Sequence, residues 1–229
     1  MVKEHKNIFI INKKKGVLIV YEGISGCGKS ECIRKSSQDL FDKGFTPKVV
    51  EWNSNVTIRR FTNWLLVKKK LTPRIYSLLQ WIAFFIDYTV KIMPYLKKGN
   101  IVLADRYVYT GLTREKLNCS SPSFMHWILH LVREPDIVFF FDIQPQICYE
   151  RIVLRGKHLF HTNKRILNNR LLKNRELYYL TKLRAEYLRL IKDPVLLKNT
   201  NVVVINNDFE LLSRKIINYL KVKNAGKYI

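Results

Sequence analysis

Five short apolar runs recur along the chain: VLIVY (17–21), KVVEW (48–52), IVLA (101–104), DIVFFF (136–141) and NVVVI (201–205). They are rich in β-branched residues and nearly unbroken, which is the pattern of strands covered on both faces of a parallel sheet. Longer helical patterns separate them, as crossovers between parallel strands require. The fold class that satisfies both is α/β, a three-layer arrangement with a central five-stranded parallel sheet and helices on both faces.

Between the runs, residues 29–43 place Cys32, Ile33 and Leu40 at helical intervals and stop at Gly44, a helix-ending residue type. Residues 75–96 carry apolar positions at Ile75, Leu78, Leu79, Ile82, Phe85, Ile86, Val90 and Met93. That spacing predicts one long helix whose wide apolar face suits core packing or a dimer surface equally. Residues 145–156 and 166–192 are also expected to be helical. The basic stretch RGKHLFHTNKR (155–165) breaks them apart, and a lid over residues 151–170 or a plain solvated loop fits its composition. The whole chain, 1–229, reads as one domain. An extension at 1–15 offers IFII (8–11) as an edge strand, and the tail KVKNAGKYI (221–229) is expected to be loose.

The first run leads into GISGCGKSE (23–31). Gly23, Ile24, Ser25, Gly26, Cys27, Gly28, Lys29 and Ser30 satisfy GxxxxGK[ST], with a strand before and a helix after. The glycines let backbone N–H groups turn inward around phosphate oxygens, and the helix N-terminus adds its positive end. Lys29 has the reach for the outer phosphates of a nucleoside triphosphate, and the Ser30 hydroxyl can ligate Mg²⁺. The donor implied is ATP with Mg²⁺, on a P-loop fold.

Asp105 closes the third run and is followed by Arg106 and Tyr107. Ligands of a parallel α/β sheet bind beyond the carboxyl ends of its strands, so Asp105 is expected on the same edge as the loop. An acid there can hold the metal, and an adjacent arginine can clamp a second phosphate.

The composition sets limits. Four cysteines (Cys27, Cys32, Cys119, Cys148) show no metal-type pairing, and one lies inside the phosphate loop, which fits a reducing compartment such as the cytoplasm. Gln80, Asp87 and Lys91 interrupt the longest apolar stretch, so no membrane partner is expected. The net charge of +23 favours anionic partners without choosing among them. No nucleic-acid-binding signature accompanies it.

Three segments together resemble the thymidylate kinases among the P-loop nucleoside monophosphate kinases: YEGISGCGKSE (21–31), LADRYVYTG (103–111) and PDIVFFFDIQPQICYERIVLRG (135–156). The resemblance implies that the loop binds ATP, that Ser30 and Asp105 hold Mg²⁺, and that Arg106 contacts the acceptor monophosphate. It also implies that Arg151 and Arg155 border the lid, and that the protein is a homodimer. Catalysis would then rest on Lys29, Asp105, Arg106, Arg151 and Arg155. Acceptor contacts would come from Glu22, Ser25, Phe84, Tyr88, Arg106 and Tyr107, with Glu22 equally suited to a structural hydrogen bond.

The chain departs from the family at the acceptor. Ser25 stands where a carboxylate is usual, the loop WNSN (52–55) lacks an arginine-proline element, and Tyr88 replaces a base-reading arginine. Phosphoryl transfer to dTMP or a related nucleotide is the expected function. A relative acting on a non-standard nucleotide-like acceptor, and a weakened P-loop protein binding nucleic acid, are the alternatives.

Overall fold

Each of the five apolar runs forms a strand in the computed structural model, which describes residues 16–118, 124–159, 163–194, 196–206 and 210–225. The chain runs through β1 (Val17–Gly23), α1 (Lys29–Asp42), β2 (Lys48–Glu51), α2 (Val56–Val67) and α3 (Pro73–Asp87). A π-helical turn, Tyr88–Ile92, joins α3 to α4 (Met93–Lys97); β3 (Ile101–Asp105), α5 (Val108–Asn118) and α6 (Phe124–Leu131) follow. The remainder is β4 (Ile137–Phe141), α7 (Pro145–Leu154), α8 (Lys164–Leu167), α9 (Arg175–Leu190), β5 (Asn201–Ile205) and α10 (Glu210–Ala225). The expected strand at 8–11, Cys119 and the end of the tail lie outside the described residues.

The sheet has the order β2-β3-β1-β4-β5, with every pair parallel and helices around it. Burial follows position in that order. All residues of β1 and β4 are buried, whereas the edge strands β2 and β5 keep exposed positions. The central strands are thus shielded on both faces, whereas NVVVI, equally apolar and expected to be covered on both faces, forms an edge strand with Val204 exposed. Asp136, expected as the first residue of β4, instead lies just before it and is buried. Its carboxylate accepts the Leu18 N–H at 2.8 Å and the Arg133 guanidinium at 2.6 Å, which ties together the strand ends remote from the phosphate loop.

Two helical expectations change in detail. The long helix continues through residues 73–97, with a π-turn where the Met93 N–H donates to the Tyr88 carbonyl five residues back. Pro94 follows at once, and its ring and missing N–H do not fit a regular helical turn. The helix expected over 166–192 is broken in two by asparagines. Asn169 accepts the Leu171 N–H and Asn174 the Leu177 N–H, both at 2.9 Å, so side chains take the donors that a continuous helix would use.

Candidate phosphate-binding site

The parallel register sets Tyr21 of β1 opposite Asp105 of β3, so the phosphate loop and Asp105 leave the sheet side by side. Ser25, Gly26, Gly28, Lys29 and Ser30 line a cleft of about 410 Å³ with Asp105 and Arg106. Ile24 and Cys27 are buried. Gly26 needs its residue type twice over, since its φ is +84° and a Cβ would come 2.4 Å from the Cys148 carbonyl oxygen.

The Lys29 ammonium donates to the carbonyls of Gly23 (3.1 Å) and Ile24 (2.9 Å) and to the Cys27 sulfur (3.2 Å). These acceptors hold the charge at the loop. The Ser30 hydroxyl donates to Asp105 Oδ2 at 3.1 Å, while Asp105 Oδ1 is shielded from solvent and has no hydrogen-bond partner among the described residues. A hydroxyl beside a carboxylate with one unused oxygen is a donor set suited to a hard divalent cation.

Arg106 crosses from the third strand to the loop. Its guanidinium donates to the Gly23 carbonyl at 3.0 Å and reaches the Ser25 hydroxyl at 3.4 Å. Its backbone is left-handed, φ +76°, which a side chain adopts only when its surroundings impose it. Arg151 meets the Gly26 carbonyl at 3.5 Å, and Arg155 lines the cleft with Lys157, His158 and Leu159 from the basic stretch after α7.

Glu22 lies beneath the cleft and is buried. Its carboxylate accepts four hydrogen bonds, from the backbone N–H groups of Tyr107 (2.6 Å) and Thr110 (3.2 Å) and from the hydroxyls of Thr110 (2.7 Å) and Tyr187 (2.9 Å). Burial pushes its carboxyl pKa up, opposed by Arg106 and by these donors.

The aromatic residues expected at the acceptor are packed elsewhere. Phe84, Tyr88 and Tyr107 are each no more than 2% exposed, and none of them lines the cleft. The Tyr107 hydroxyl donates to the Arg133 carbonyl, and the Arg133 N–H donates to the Tyr88 hydroxyl. Trp52 stacks on Phe84 with ring centroids 4.8 Å apart, closing that ring from the other side. The loop after β2 is pinned in turn, since Asp87 accepts the Ser54 N–H at 2.8 Å and hydroxyl at 2.7 Å and pairs with Lys91.

Two cleft residues carry no sequence motif. Tyr76 comes from the first turns of α3, and only tertiary packing brings it in. Arg114 had a readable signal, because it falls four residues after Thr110 on α5 and so shares the face whose hydroxyl meets Arg106.

A strand, a glycine-rich loop capped by a helix, and an acid and arginine at the end of the neighbouring strand define the class of P-loop nucleotide-binding proteins. The family model described as Thymidylate kinase matches residues 21–216, and the chain belongs to the thymidylate kinase family. It is similar to a protein named probable thymidylate kinase 2 from Saccharolobus solfataricus, 31% identical over 138 residues. That match covers 60% of this chain and 64% of the relative, so the chain spans a little under two thirds of that relative's length. A probable thymidylate kinase from Staphylothermus marinus is 25% identical over 90% of this chain and 95% of its own. A thymidylate kinase from Rickettsia canadensis is 34% identical over 63% of this chain and 73% of its own.

Beside Arg114, Glu115 is buried at the α3–α5 contact, where it accepts from the Ser77 hydroxyl at 3.1 Å. Burial pushes its carboxyl up to about 7 against the Ser77 and Trp81 hydrogen bonds. A carboxyl raised on folding contributes stability below its unfolded pKa of 4.5 and loses it as pH rises through about 7. Glu115→Gln is therefore expected to gain in thermal midpoint relative to the parent by a few degrees, as an order-of-magnitude figure, between pH 5 and pH 8. A difference that stays constant across that range contradicts the assignment.

Proposed function

We propose that this protein transfers the γ-phosphoryl group of ATP to the phosphate of dTMP, giving dTDP and ADP, with Mg²⁺. The observation that carries the reading is the contact of the Arg106 guanidinium with the Gly23 carbonyl, at 3.0 Å, which holds a cation against the glycine-rich loop, where an acceptor phosphate would need one. Family membership and the names of the relatives support the choice of dTMP.

The donor phosphates would enter the loop at the N-terminus of α1, where Lys29 exchanges the Gly23 and Ile24 carbonyls for phosphate oxygens. Ser30 and Asp105 would hold the Mg²⁺, whose bound charge neutralises the phosphates. Arg106 would exchange Gly23 and Ser25 for the acceptor phosphate and hold one of its oxygens in line with the γ-phosphorus. As that oxygen bonds to phosphorus, the bond to the bridging oxygen of ADP breaks. Arg151 and Arg155 would meet the charge spread over the transferred group. No covalent enzyme intermediate is needed, because positioning and electrostatics supply what this reaction requires.

A homodimer in a reducing compartment, the cytoplasm, belongs to the same proposal. On the long helix expected to offer a dimer surface, Ile75, Leu78 and Val90 are exposed, as are Phe61, Trp64, Leu66 and Val67 on α2, which packs against α3; these apolar side chains support a second copy there. Size-exclusion chromatography coupled to light scattering is expected to give twice the chain mass, and a monomer at micromolar concentration contradicts it.

The test of the reaction is a coupled ADP-release screen over deoxy- and ribonucleoside monophosphates with Mg·ATP. dTMP is expected to give the highest kcat/KM. Lys29→Ala should lower it by about a hundredfold or more. Arg106→Ala should raise the acceptor KM by about tenfold to a hundredfold, the scale of a lost hydrogen bond to a charged group. No ADP release with any acceptor overturns the proposal. A preference for another monophosphate corrects the acceptor alone.

A further inference from the structure

The acceptor clamp does not hold its own shape. Arg106 sits at φ +76°, and its backbone is fixed from both sides: its own N–H donates to the Tyr21 carbonyl at 3.0 Å, and the next N–H, of Tyr107, donates to Glu22 Oε1 at 2.6 Å. Its guanidinium is steadied by the hydroxyls of Thr110 (3.3 Å) and Tyr187 (3.5 Å), on α5 and α9. Both of those hydroxyls also reach Glu22 Oε2, at 2.7 and 2.9 Å.

The directions of these bonds make one system. A hydroxyl has a single proton; if it donates that proton to Glu22, its lone pairs face Arg106 and accept from the guanidinium. The two hydroxyls also lie 2.7 Å from each other, so one of them donates to its neighbour and the other to Glu22 Oε2; the carboxylate draws both protons its way, and each oxygen keeps a lone pair for the cation. All three residues are buried, with Glu22 and Tyr187 at 1% exposure and Thr110 at 0%, so water does not compete for these bonds.

We infer that Glu22 is the positioning residue for Arg106, acting through the Tyr107 backbone and through the oriented hydroxyls of Thr110 and Tyr187. Glu22 touches no reacting atom. It fixes the backbone conformation and the side-chain direction of the residue that does, and Tyr187 brings into the same network α9, the helix that follows the basic stretch. An amide in place of the carboxylate breaks the system in either orientation. With its NH₂ toward the hydroxyls it turns their protons at Arg106; with its NH₂ toward α5 it meets the N–H groups of Tyr107 and Thr110 head on.

The inference rests on the proposed role of Arg106 at the acceptor phosphate, and the experiment separates the two. The full chain and its Glu22→Gln, Tyr187→Phe, Thr110→Val and Thr110→Ser variants are compared in steady-state kinetics with dTMP and Mg·ATP. The Arg106 Nε–Hε resonance is followed in ¹⁵N-correlated spectra of the same samples. Glu22→Gln, Tyr187→Phe and Thr110→Val are expected to raise the acceptor KM by about tenfold or more, leaving the ATP KM within about twofold. They should also broaden or shift the Arg106 signal. Thr110→Ser keeps the hydroxyl and should restore both readouts, which a role in stability alone would not predict. Acceptor KM values near the parent's, or an equal rise in both KM values, overturn the inference. If the parent turns over no monophosphate, the proposed function fails instead, and the Arg106 signal decides: unchanged in Tyr187→Phe and Thr110→Val, it overturns the positioning role.

Discussion

The pairing of β1 with β3 is the constraint on which the rest of the site depends. Because the strands run parallel with Tyr21 opposite Asp105, both chains leave the sheet at one edge, and the loop and the acid meet without a long connection. The Ser30–Asp105 hydrogen bond, the Arg106–Gly23 contact and the seat of Glu22 all span that single pairing. A slip of one residue would turn every side chain of β1 to the opposite face and take Glu22 from under Arg106. The apolar runs that make these strands central are therefore also what aligns the chemistry.

The arrangement places a carboxylate where burial alone would disfavour charge. Four donors and the nearby guanidinium offset part of that cost, and they do so only while every partner is in place. Arg106 shows the same dependence from the other side, since a left-handed arginine persists only where the surroundings over-determine it. The two unfavourable features stabilise one another, and the result is a cation held against the phosphate loop. Around it, Lys29, Arg114, Arg155 and Lys157 outnumber Glu31 and Asp105 in the cleft, a local balance that favours polyanionic ligands. The overall charge of +23 is not needed to explain that preference.

What the sequence made legible was local. GxxxxGK[ST] and the apolar runs are contiguous patterns whose physics acts over a few residues, and they located the loop, the strands and Asp105 to within two residues. The acceptor side was harder to read because it depends on which way a helix face turns. Phe84 and Tyr88 lie on a helix that is apolar over much of its surface, so periodicity did not say which rings meet ligand and which fill the core; packing against Trp52, Tyr107 and Arg133 decided it. The break between α8 and α9 was hidden because asparagine side chains compete for backbone donors without disturbing the apolar spacing. Glu22 was read with both of its roles open, and what the sequence did not show is that its four donors come from Tyr107, Thr110 and Tyr187, which are far apart along the chain from it.

The central claim is that the donor loop and the Arg106 clamp act on two phosphates in one transfer. The most direct measurement is the fate of label from [γ-³²P]ATP in the presence of Mg²⁺ and dTMP, with products separated by chromatography. The account predicts that label appears in the terminal phosphate of dTDP, in step with ADP formation. Label found in inorganic phosphate alone, or retained in ATP while the protein is folded and binds nucleotide, would contradict it.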